Sequence, residues 1–281
     1  MHTPVLLEQV IAHLNIKPGM KIIDATFGEG GHTHAFLGLG ASVLAIDADQ
    51  DQINRYKNSS SNELKNEKLQ LVQGNYADIA EIAIKHSFDK VDVVIFDLGL
   101  SMNQMYHGEG FSYQFPLQPL NLVIDSQSKQ KGAARAAEVV TEYDEERLTN
   151  IFMRYGELKR ASDIARAIVR YRSTHELNTV GDLLTGLEGT LFGNEQAALF
   201  QALRIEVNHE YEQIEKGLNG AVEVLSRGGK LAVITFHSGE DRIVKLWARG
   251  KGLKEEKRVI GKKVSDKSFE RSSILRIYVQ S

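Results

Sequence analysis

The sequence contains no cysteine, which excludes disulfide bridges and thiolate metal sites and fits a reducing compartment. No apolar run approaches the ~20 residues that a helix needs to cross a bilayer. The N-terminus also lacks the basic-then-apolar pattern of a signal peptide. We therefore expect a soluble, cytoplasmic protein without a membrane partner.

A surplus of positive charge is missing as well, because 34 Lys and Arg stand against 37 Asp and Glu, for a net charge of −3. The chain as a whole is no polycation, so binding to nucleic acid would need a local basic surface. Hydrophobic residues make up 42% of the chain and charged residues 25%, which is typical of a folded globular protein. Its 281 residues predict one large domain or two unequal ones.

The N-terminal region centres on a buried strand that leads into a glycine-rich turn. Apolar residues predict the strand at Lys21–Asp24, and Gly28, Gly30 and Gly31 form the turn before a helical segment. A ligand can approach a glycine backbone closely because no Cβ stands in the way. The free N–H groups at the start of the helix then face that ligand. The pattern favours a nucleotide-like ligand.

Strands and helices alternate around this turn, a pattern typical of a mostly parallel α/β sheet. Apolar runs predict further strands at Ser42–Ile46, Leu69–Gln73, Val91–Phe96, Lys230–Phe236, Leu253–Ile260 and Ser273–Val279. Asp47, Tyr76 and Asp97 follow the second, third and fourth strands. Because the carboxyl ends of parallel strands meet at one edge, we expect these three residues beside the glycine turn.

The alternation stops after residue 97. Residues 98 to about 125 read as a long loop, and helical patterns then continue to residue 205. We therefore predict a helical insertion at 126–205 within an α/β domain formed by 1–125 and 206–281. Apolar residues at helical spacing also predict one long helix over Phe200–Leu218.

Three nucleotide-like ligands compete for the glycine turn. A phosphate-binding P-loop would carry Lys-Ser or Lys-Thr after the last glycine, but His32 and Thr33 occupy those positions. A dinucleotide motif matches only in part because Thr33 replaces its third glycine. S-adenosylmethionine fits best, since Asp47 could accept hydrogen bonds from a ribose diol and the ring of Tyr76 could pack against adenine.

Several longer blocks carry a resemblance to a known family. They are His2–Glu8, Asp24–Gly28, Gly30–Thr33, Asp97–Ser101, Gly110–Ser112, Tyr155–Glu157, Ile164–Ile168, Phe200–Asn208, Phe236–Ser238 and Glu240–Arg242. Through them the chain resembles, over nearly its whole length, the bacterial cytosine-N4 methyltransferases of 16S ribosomal RNA. The resemblance implies a Rossmann-like class I methyltransferase fold with a helical insertion that recognises substrate. It also implies S-adenosylmethionine as cofactor, with contacts from Gly30, Gly31, His32, Asp47, Tyr76, Asp97 and Gln104.

The implied reaction is direct transfer of a methyl group from a sulfonium to the cytosine N4 amine, without a metal. Asp97 is the candidate to accept a hydrogen bond from the amine. His237, which follows the predicted fifth strand, is the candidate to take up the released proton. The implied partner is ribosomal RNA, within the small ribosomal subunit. The oligomeric state stays open, with a homodimer among the alternatives.

Departures from the family pattern gather where RNA is expected to bind. In the segment 119–125, Asn121 and Val123 stand where the family has an acid and an arginine, and Gly239 stands in place of a leucine. Losing the arginine removes a side chain suited to bidentate phosphate contact. Two further hypotheses therefore remain: a methyltransferase of another RNA, DNA or a small amine, and an inactive paralogue that binds RNA or cofactor.

Contacts with RNA would come from local clusters of basic residues. Between Arg249 and Arg276 there are ten Lys and Arg against four Asp and Glu, which predicts a basic surface that could contact phosphates. A second basic cluster lies on the insertion, at Lys159, Arg160, Arg166, Arg170 and Arg172. Three aromatic residues could stack on a displaced base, namely Phe111, Tyr113 and Phe115.

Overall fold

A computed structural model describes residues 4–59, 67–100, 104–105, 108–124, 134–261 and 273–280. The chain divides into two compact units, one formed by Met1–Leu100 with Tyr211–Ser281 and the other by Ser101–Glu210. None of the helices in the described ranges is long and apolar enough to cross a membrane.

The first unit is built on a single mixed sheet. Its strands are β1 (Lys21–Asp24), β2 (Ser42–Asp47), β3 (Leu69–Gln73), β4 (Val91–Asp97), β5 (Leu225–Thr235), β6 (Lys254–Ile260) and β7 (Ile274–Val279). They lie in the order β3-β2-β1-β4-β5-β7-β6. The first five run parallel, whereas β7 pairs antiparallel with both β5 and β6. The predicted α/β class with a mostly parallel sheet is confirmed.

Helices connect the strands and form most of the second unit. They are α1 (Leu7–Leu14), α2 (Gly31–Gly38), α3 (Gln50–Ser59), α4 (Ile79–Lys85), α5 (Ala136–Glu142), α6 (Glu145–Gly156), α7 (Ala161–Arg172), α8 (Val180–Gly186), α9 (Glu195–Asn208), α10 (Glu210–Val224) and α11 (Ser238–Gly250). Val10 of α1 and Phe36 of α2 belong to the same buried cluster as Ile22 and Val43 of the sheet. Burial of this kind explains the apolar runs of the central strands.

The strand order places a topological switch point in the middle of the sheet. The chain moves outward from β1 to β2 and β3, then returns to β4 on the other side of β1. In open α/β sheets, ligands bind at the carboxyl ends of the strands beside such a point. The glycine turn after β1 and the residue that ends β4, Asp97, both lie there.

The boundaries of the second unit differ from the predicted insertion. The sequence predicts that residues up to 125 belong to the α/β domain, whereas the described residues between 104 and 124 belong to the second unit. Backbone hydrogen bonds explain the grouping, because Leu120 N–H donates to Asn178 O at 2.9 Å and Val180 N–H donates to Gln118 O at 3.0 Å. The predicted start at 126 itself lies outside the described residues.

The single long helix predicted over Phe200–Leu218 is wrong. Two helices, α9 and α10, meet at His209, whose φ of 50° lies in the left-handed region. That conformation ends a right-handed helix, although the apolar spacing continues across it. Residues 226–229, which precede the predicted strand Lys230–Phe236, form an irregularity within β5, where pairing passes from Val91–Leu225 to Val93–Lys230.

Candidate active site

The glycine turn requires glycine on steric grounds. Gly28 and Gly30 have φ values of 53° and 79°, which residues with a Cβ rarely adopt. A Cβ on Gly30 would lie 2.8 Å from the ring of Phe27, and one on Gly31 would overlap the ring of Pro4. Protein side chains thus occupy the space that a Cβ at Gly30 or Gly31 would need, so the turn packs closely against its surroundings.

Two side chains bind the backbone of Gly28, one at its N–H group and the other at its carbonyl. Asp47 Oδ2 accepts a hydrogen bond from Gly28 N–H at 2.7 Å, while Gln52 Nε2 donates to Gly28 O at 2.9 Å. The other oxygen of Asp47, Oδ1, accepts from Asp49 N–H at 2.8 Å. Burial raises the pKa of Asp47 to about 7. A carboxylate has about four lone-pair positions, so Asp47 can still accept from a ligand diol.

Asp24, at the end of β1, braces the turn from inside the protein. It is buried and accepts hydrogen bonds from Thr33 Oγ1 at 2.7 Å and from Thr26 N–H at 3.3 Å. Burial raises the pKa of Asp24, and the nearby His32 partly opposes that rise. Through these two hydrogen bonds, Asp24 stabilises the glycine turn and the first helical turn of α2.

His32 and Asp97 face each other across the switch point. His32 is 5% exposed, and its Nε2 lies 3.6 Å from Asp97 Oδ2, which is longer than a hydrogen bond. Among the described residues, neither ring nitrogen of His32 nor Oδ1 of Asp97 has a hydrogen-bond partner. Buried polar atoms without partners are rare in folded proteins, and here they coincide with the strand ends where a ligand is expected.

Tyr76 is held against the sheet after β3. Its ring packs edge-to-face with Phe96 at a centroid distance of 5.7 Å. A Cβ on Gly217 of α10 would lie 2.8 Å from a carbon of the Tyr76 ring, so glycine lets the ring fit there. Asn75, the residue before Tyr76, is fixed to α10, because its Nδ2 donates to Gln213 Oε1 at 2.7 Å. The ring is thus positioned by packing on both sides.

His237 has a structural role at the start of α11. Its Nδ1 accepts a hydrogen bond from Glu240 N–H at 3.4 Å, and its Nε2 lies 2.9 Å from Glu240 Oε1. Glu240 Oε2 in turn accepts from Phe236 N–H at 2.7 Å. This arrangement is a capping box. Only Nδ1 takes part in this cap by a hydrogen bond, since Nε2 has no hydrogen-bond partner among the described residues. The catalytic role of His237 stays a prediction.

Most of the predicted cofactor residues meet at one edge of the first unit. Gly30, Gly31, His32, Asp47 and Asp97 all lie on or beside the ends of β1, β2 and β4, and Tyr76 follows β3. Gln104 belongs to the second unit, where its carbonyl accepts a hydrogen bond from Gly108 N–H at 2.9 Å. Its role in cofactor binding stays a prediction.

Sequence patterns missed three supporting residues, which are Thr26, Thr33 and Gln52. Thr26 and Thr33 stand within the glycine motif, but nothing in their spacing shows which backbone or carboxylate they contact. Strand β2 ends at Asp47, and Gln52 lies on the buried side of α3, four residues after Ala48. The only available signal was its place shortly after an acidic strand end.

The second basic cluster is largely tied into its own unit. Arg160 donates to Thr190 O at 2.9 Å, and Arg172 donates to Val140 O at 2.8 Å. Arg166 lies 3.4 Å from Glu145. These arginines support packing between helices, and the ion pairs of Arg160 with Asp163 and of Arg166 with Glu145 offset part of the positive charge of the cluster. In the first basic cluster, residues 262–272 lie outside the described ranges.

The segment that departs from the family pattern is an internal one. Asn121 is 5% exposed and Val123 is 2% exposed. Asn208 fixes the segment, because its Oδ1 accepts from Ile124 N–H at 2.8 Å and its Nδ2 donates to Leu122 O at 2.8 Å. Val123 is thus part of the core of the second unit. An apolar residue suits that position.

Comparison with known proteins gives a consistent result. A sequence model of the MraW methylase family matches residues 1–269. Ribosomal RNA small subunit methyltransferase H of Phocaeicola vulgatus is 38% identical over 251 residues, covering 87% of this chain and 79% of the relative. The proteins of the same name from Carboxydothermus hydrogenoformans and Thermomicrobium roseum are 39% and 40% identical over 258 residues, covering 88% of this chain and 80% and 77% of the relatives.

Proposed function

The chain belongs to the MraW methylase family, and we propose that it transfers a methyl group from S-adenosylmethionine to the exocyclic N4 amine of a cytidine in 16S ribosomal RNA. The observation that carries the proposal is the family match over residues 1–269. It spans both units, so the likeness is not confined to a cofactor-binding fold. The relatives that bear the name ribosomal RNA small subunit methyltransferase H support the acceptor class.

The residues at the switch point fit S-adenosylmethionine by their chemistry. Asp47 keeps acceptor capacity for a ribose diol, and Tyr76 offers an aromatic ring for adenine. The unpartnered polar atoms of His32 and Asp97 provide further hydrogen-bonding groups. When bound, this cofactor supplies an electrophilic methyl group on a positively charged sulfur.

Asp97 is the residue best placed to handle the acceptor amine. Its side chain is 22% exposed, and its Oδ1 is unpartnered among the described residues. The lone pair of cytosine N4 is delocalised into the ring, so the amine must be oriented toward the methyl group. A carboxylate that accepts an N–H bond does this and can receive the proton that the amine releases. Such positioning can lower a barrier by up to ~7–11 kcal/mol.

Several carboxylates close together favour a cationic ligand. Asp24 contributes a repulsive interaction to Asp47, and Asp97 contributes one to Asp24, in each case raising the pKa of the carboxyl that it faces. A sulfonium and an ammonium would relieve this repulsion, because opposite charges within a few ångströms stabilise each other. The product S-adenosylhomocysteine lacks the sulfonium charge. We therefore expect the site to bind the substrate form more tightly through this charge.

The second unit is assigned to substrate recognition within this proposal. Its exposed side chains include Tyr113, Phe115 and Leu117, which are suited to contacts with an unstacked base. The partner would be ribosomal RNA in the small subunit, and the place of action would be the cytoplasm. Oligomeric state does not enter the proposal.

The test is a labelled-methyl assay with S-adenosylmethionine and four acceptors. These are small ribosomal subunits from cells that lack the modification, naked 16S RNA, DNA and small amines. Digestion of labelled RNA to nucleosides, followed by chromatography, should place the label in N4-methylcytidine. Label in DNA or a small amine alone would favour a methyltransferase of another target. A cofactor dissociation constant weaker than millimolar by calorimetry would favour an inactive paralogue.

A further inference from the structure

The chain leaves the sheet immediately after β1, and its backbone hydrogen bonds change side as it does so. Ala25 N–H donates to Ile95 O of β4 at 2.9 Å. Two residues later, Phe27 N–H donates to Ile46 O of β2 at 2.8 Å. In a regular strand, the backbone N–H groups of residues two apart point to the same neighbouring strand. The backbone has therefore turned away from β4 by Phe27.

Because the chain leaves the sheet here, the backbone N–H of Asp97 has no β1 carbonyl to bond. In a continued parallel pair, the N–H of Asp97 would bond a carbonyl of β1, but β1 ends at Asp24. The side chain of Thr26 supplies the acceptor instead, since Asp97 N–H donates to Thr26 Oγ1 at 2.7 Å. The N–H of Thr26 is donated to Asp24 Oδ1 at 3.3 Å. Thr26 thus joins the ends of β1 and β4 at the switch point.

We propose that Thr26 is a positioning residue for methyl transfer, whose hydroxyl fixes the backbone of Asp97 and thereby the direction of its carboxylate. The proposal rests on the function given above, in which Asp97 contacts the reacting amine. Few other contacts hold that carboxylate, because its Oδ1 is unpartnered among the residues described and its Oδ2 is 3.6 Å from His32 Nε2. The backbone anchor at Thr26 therefore has a large share in setting its orientation.

Two substitutions separate the hydroxyl from the shape of the side chain. Thr26→Val keeps the shape and removes the acceptor, whereas Thr26→Ser keeps the acceptor. Thr141→Val is the matched control, because within the described part of the chain the Thr141 hydroxyl bonds only to carbonyls of its own helix, Ala137 O and Glu138 O. For each variant we would measure kcat and KM for the RNA, S-adenosylmethionine affinity, thermal unfolding, and hydrogen exchange at the Asp97 amide.

In Thr26→Val we expect kcat to fall about ten- to hundredfold, since an ångström of misplacement costs on this order, with little change in KM for RNA. Exchange at the Asp97 amide should rise, and Thr26→Ser should restore both values. A Thr26→Val enzyme with kcat within twofold of the parent overturns the proposal. So does a serine variant as impaired as the valine variant in kcat or amide exchange.

Failure of the proposed function would look different. In that case the parent protein would not methylate ribosomal RNA, yet amide exchange in its folded, cofactor-free form would still report on Thr26. Unchanged exchange at Asp97 in Thr26→Val would overturn the anchoring role whatever the acceptor is. Should Thr26→Val unfold, Thr26→Ala removes the same hydroxyl with a smaller side chain, and its comparison with Thr26→Ser decides by the same two readouts.

Discussion

Two turns at the same edge of the sheet differ in how their polar groups are satisfied. The glycine turn after β1 leads into α2, and the turn at Phe236–His237 after β5 leads into α11. Each holds a histidine near a carboxylate. His32 lies 3.6 Å from Asp97 with neither ring nitrogen hydrogen-bonded among the described residues, whereas His237 Nδ1 accepts a hydrogen bond from Glu240 N–H and its Nε2 lies 2.9 Å from Glu240 Oε1.

The difference separates a binding role from a structural one. A closed capping box satisfies donors that the start of a helix would otherwise leave open and is worth about 1 kcal/mol. Buried polar groups without partners cost free energy of about 1–3 kcal/mol each. The first turn therefore carries a cost that a ligand can offset, whereas the second closes its cap without a ligand and leaves one ring nitrogen, Nε2 of His237, without a hydrogen bond among the described residues.

Replacing Asp97 by Asn should reduce kcat for RNA methylation by about a hundredfold or more, because general-base and orienting groups typically contribute 10²–10⁴. The labelled-methyl assay measures it. His237→Asn, which keeps an oxygen able to cap α11, should stay within about threefold of the parent. An equal loss in both variants would remove the contrast and support the catalytic assignment of His237.

Replacing Asp47 by Ala should weaken S-adenosylmethionine binding by about ten- to hundredfold. The variant removes the acceptor for the ribose and also the bond that holds Gly28 N–H, and a hydrogen bond to a charged group contributes about 1.5–3 kcal/mol. Isothermal calorimetry measures the dissociation constant. Asp89→Ala, at an exposed position before β4, is the control. Unchanged affinity in Asp47→Ala would show that β2 does not contribute to the site.

The raised pKa of Asp47, about 7, predicts that cofactor binding depends on pH. Only the ionised carboxylate accepts from both ribose hydroxyls, so affinity should fall by up to about tenfold per pH unit below pH 7. Asp47→Asn should flatten that profile in calorimetry from about pH 5.5 to about pH 8.5. A profile that keeps its slope in Asp47→Asn would assign the dependence to another group.

The same shift has the opposite effect on stability of the free protein. The ordinary pKa of an aspartate is near 3.8, so between that value and about 7 the folded state binds a proton that the unfolded state does not. Stability from this group is therefore lost as pH rises through about 7. Saturating cofactor should oppose the loss, since it favours the ionised form.

Sequence patterns predicted the sheet well and the contacts within the site poorly. The predicted strands Lys21–Asp24 and Leu69–Gln73 agree with the structure to the residue, because a run of apolar residues marks a strand that is buried in the sheet. The break at His209 was missed, since a left-handed residue leaves no mark on apolar spacing. Which residue holds Gly28 or Asp97 depends on pairs far apart in the chain, and a single sequence does not contain that information.

Substituting Gly217 by Ala should weaken cofactor binding by a few-fold. The added Cβ would lie 2.8 Å from a ring carbon of Tyr76 and 3.0 Å from Tyr76 O, so the ring must move. Overpacking of this kind typically costs about 1–3 kcal/mol, part of which should appear in stability. Gly250→Ala is the control, because a Cβ there meets nothing within 4 Å. Equal cofactor affinity in the two variants would argue against a contact between Tyr76 and adenine.

The smallest expected effect is on the closed turn. Replacing His237 by Ala should lower the free energy of unfolding by about 1 kcal/mol, the usual cost of losing an N-cap, and lower the thermal midpoint by a few degrees. Cofactor affinity should stay the same, and His237→Asn should recover most of the stability. His32→Ala should show the reverse pattern, with weaker cofactor binding and a smaller loss of stability, because no hydrogen bond to its ring is found among the described residues. If both alanine variants lost the same stability and the same affinity, the two turns would not differ in kind.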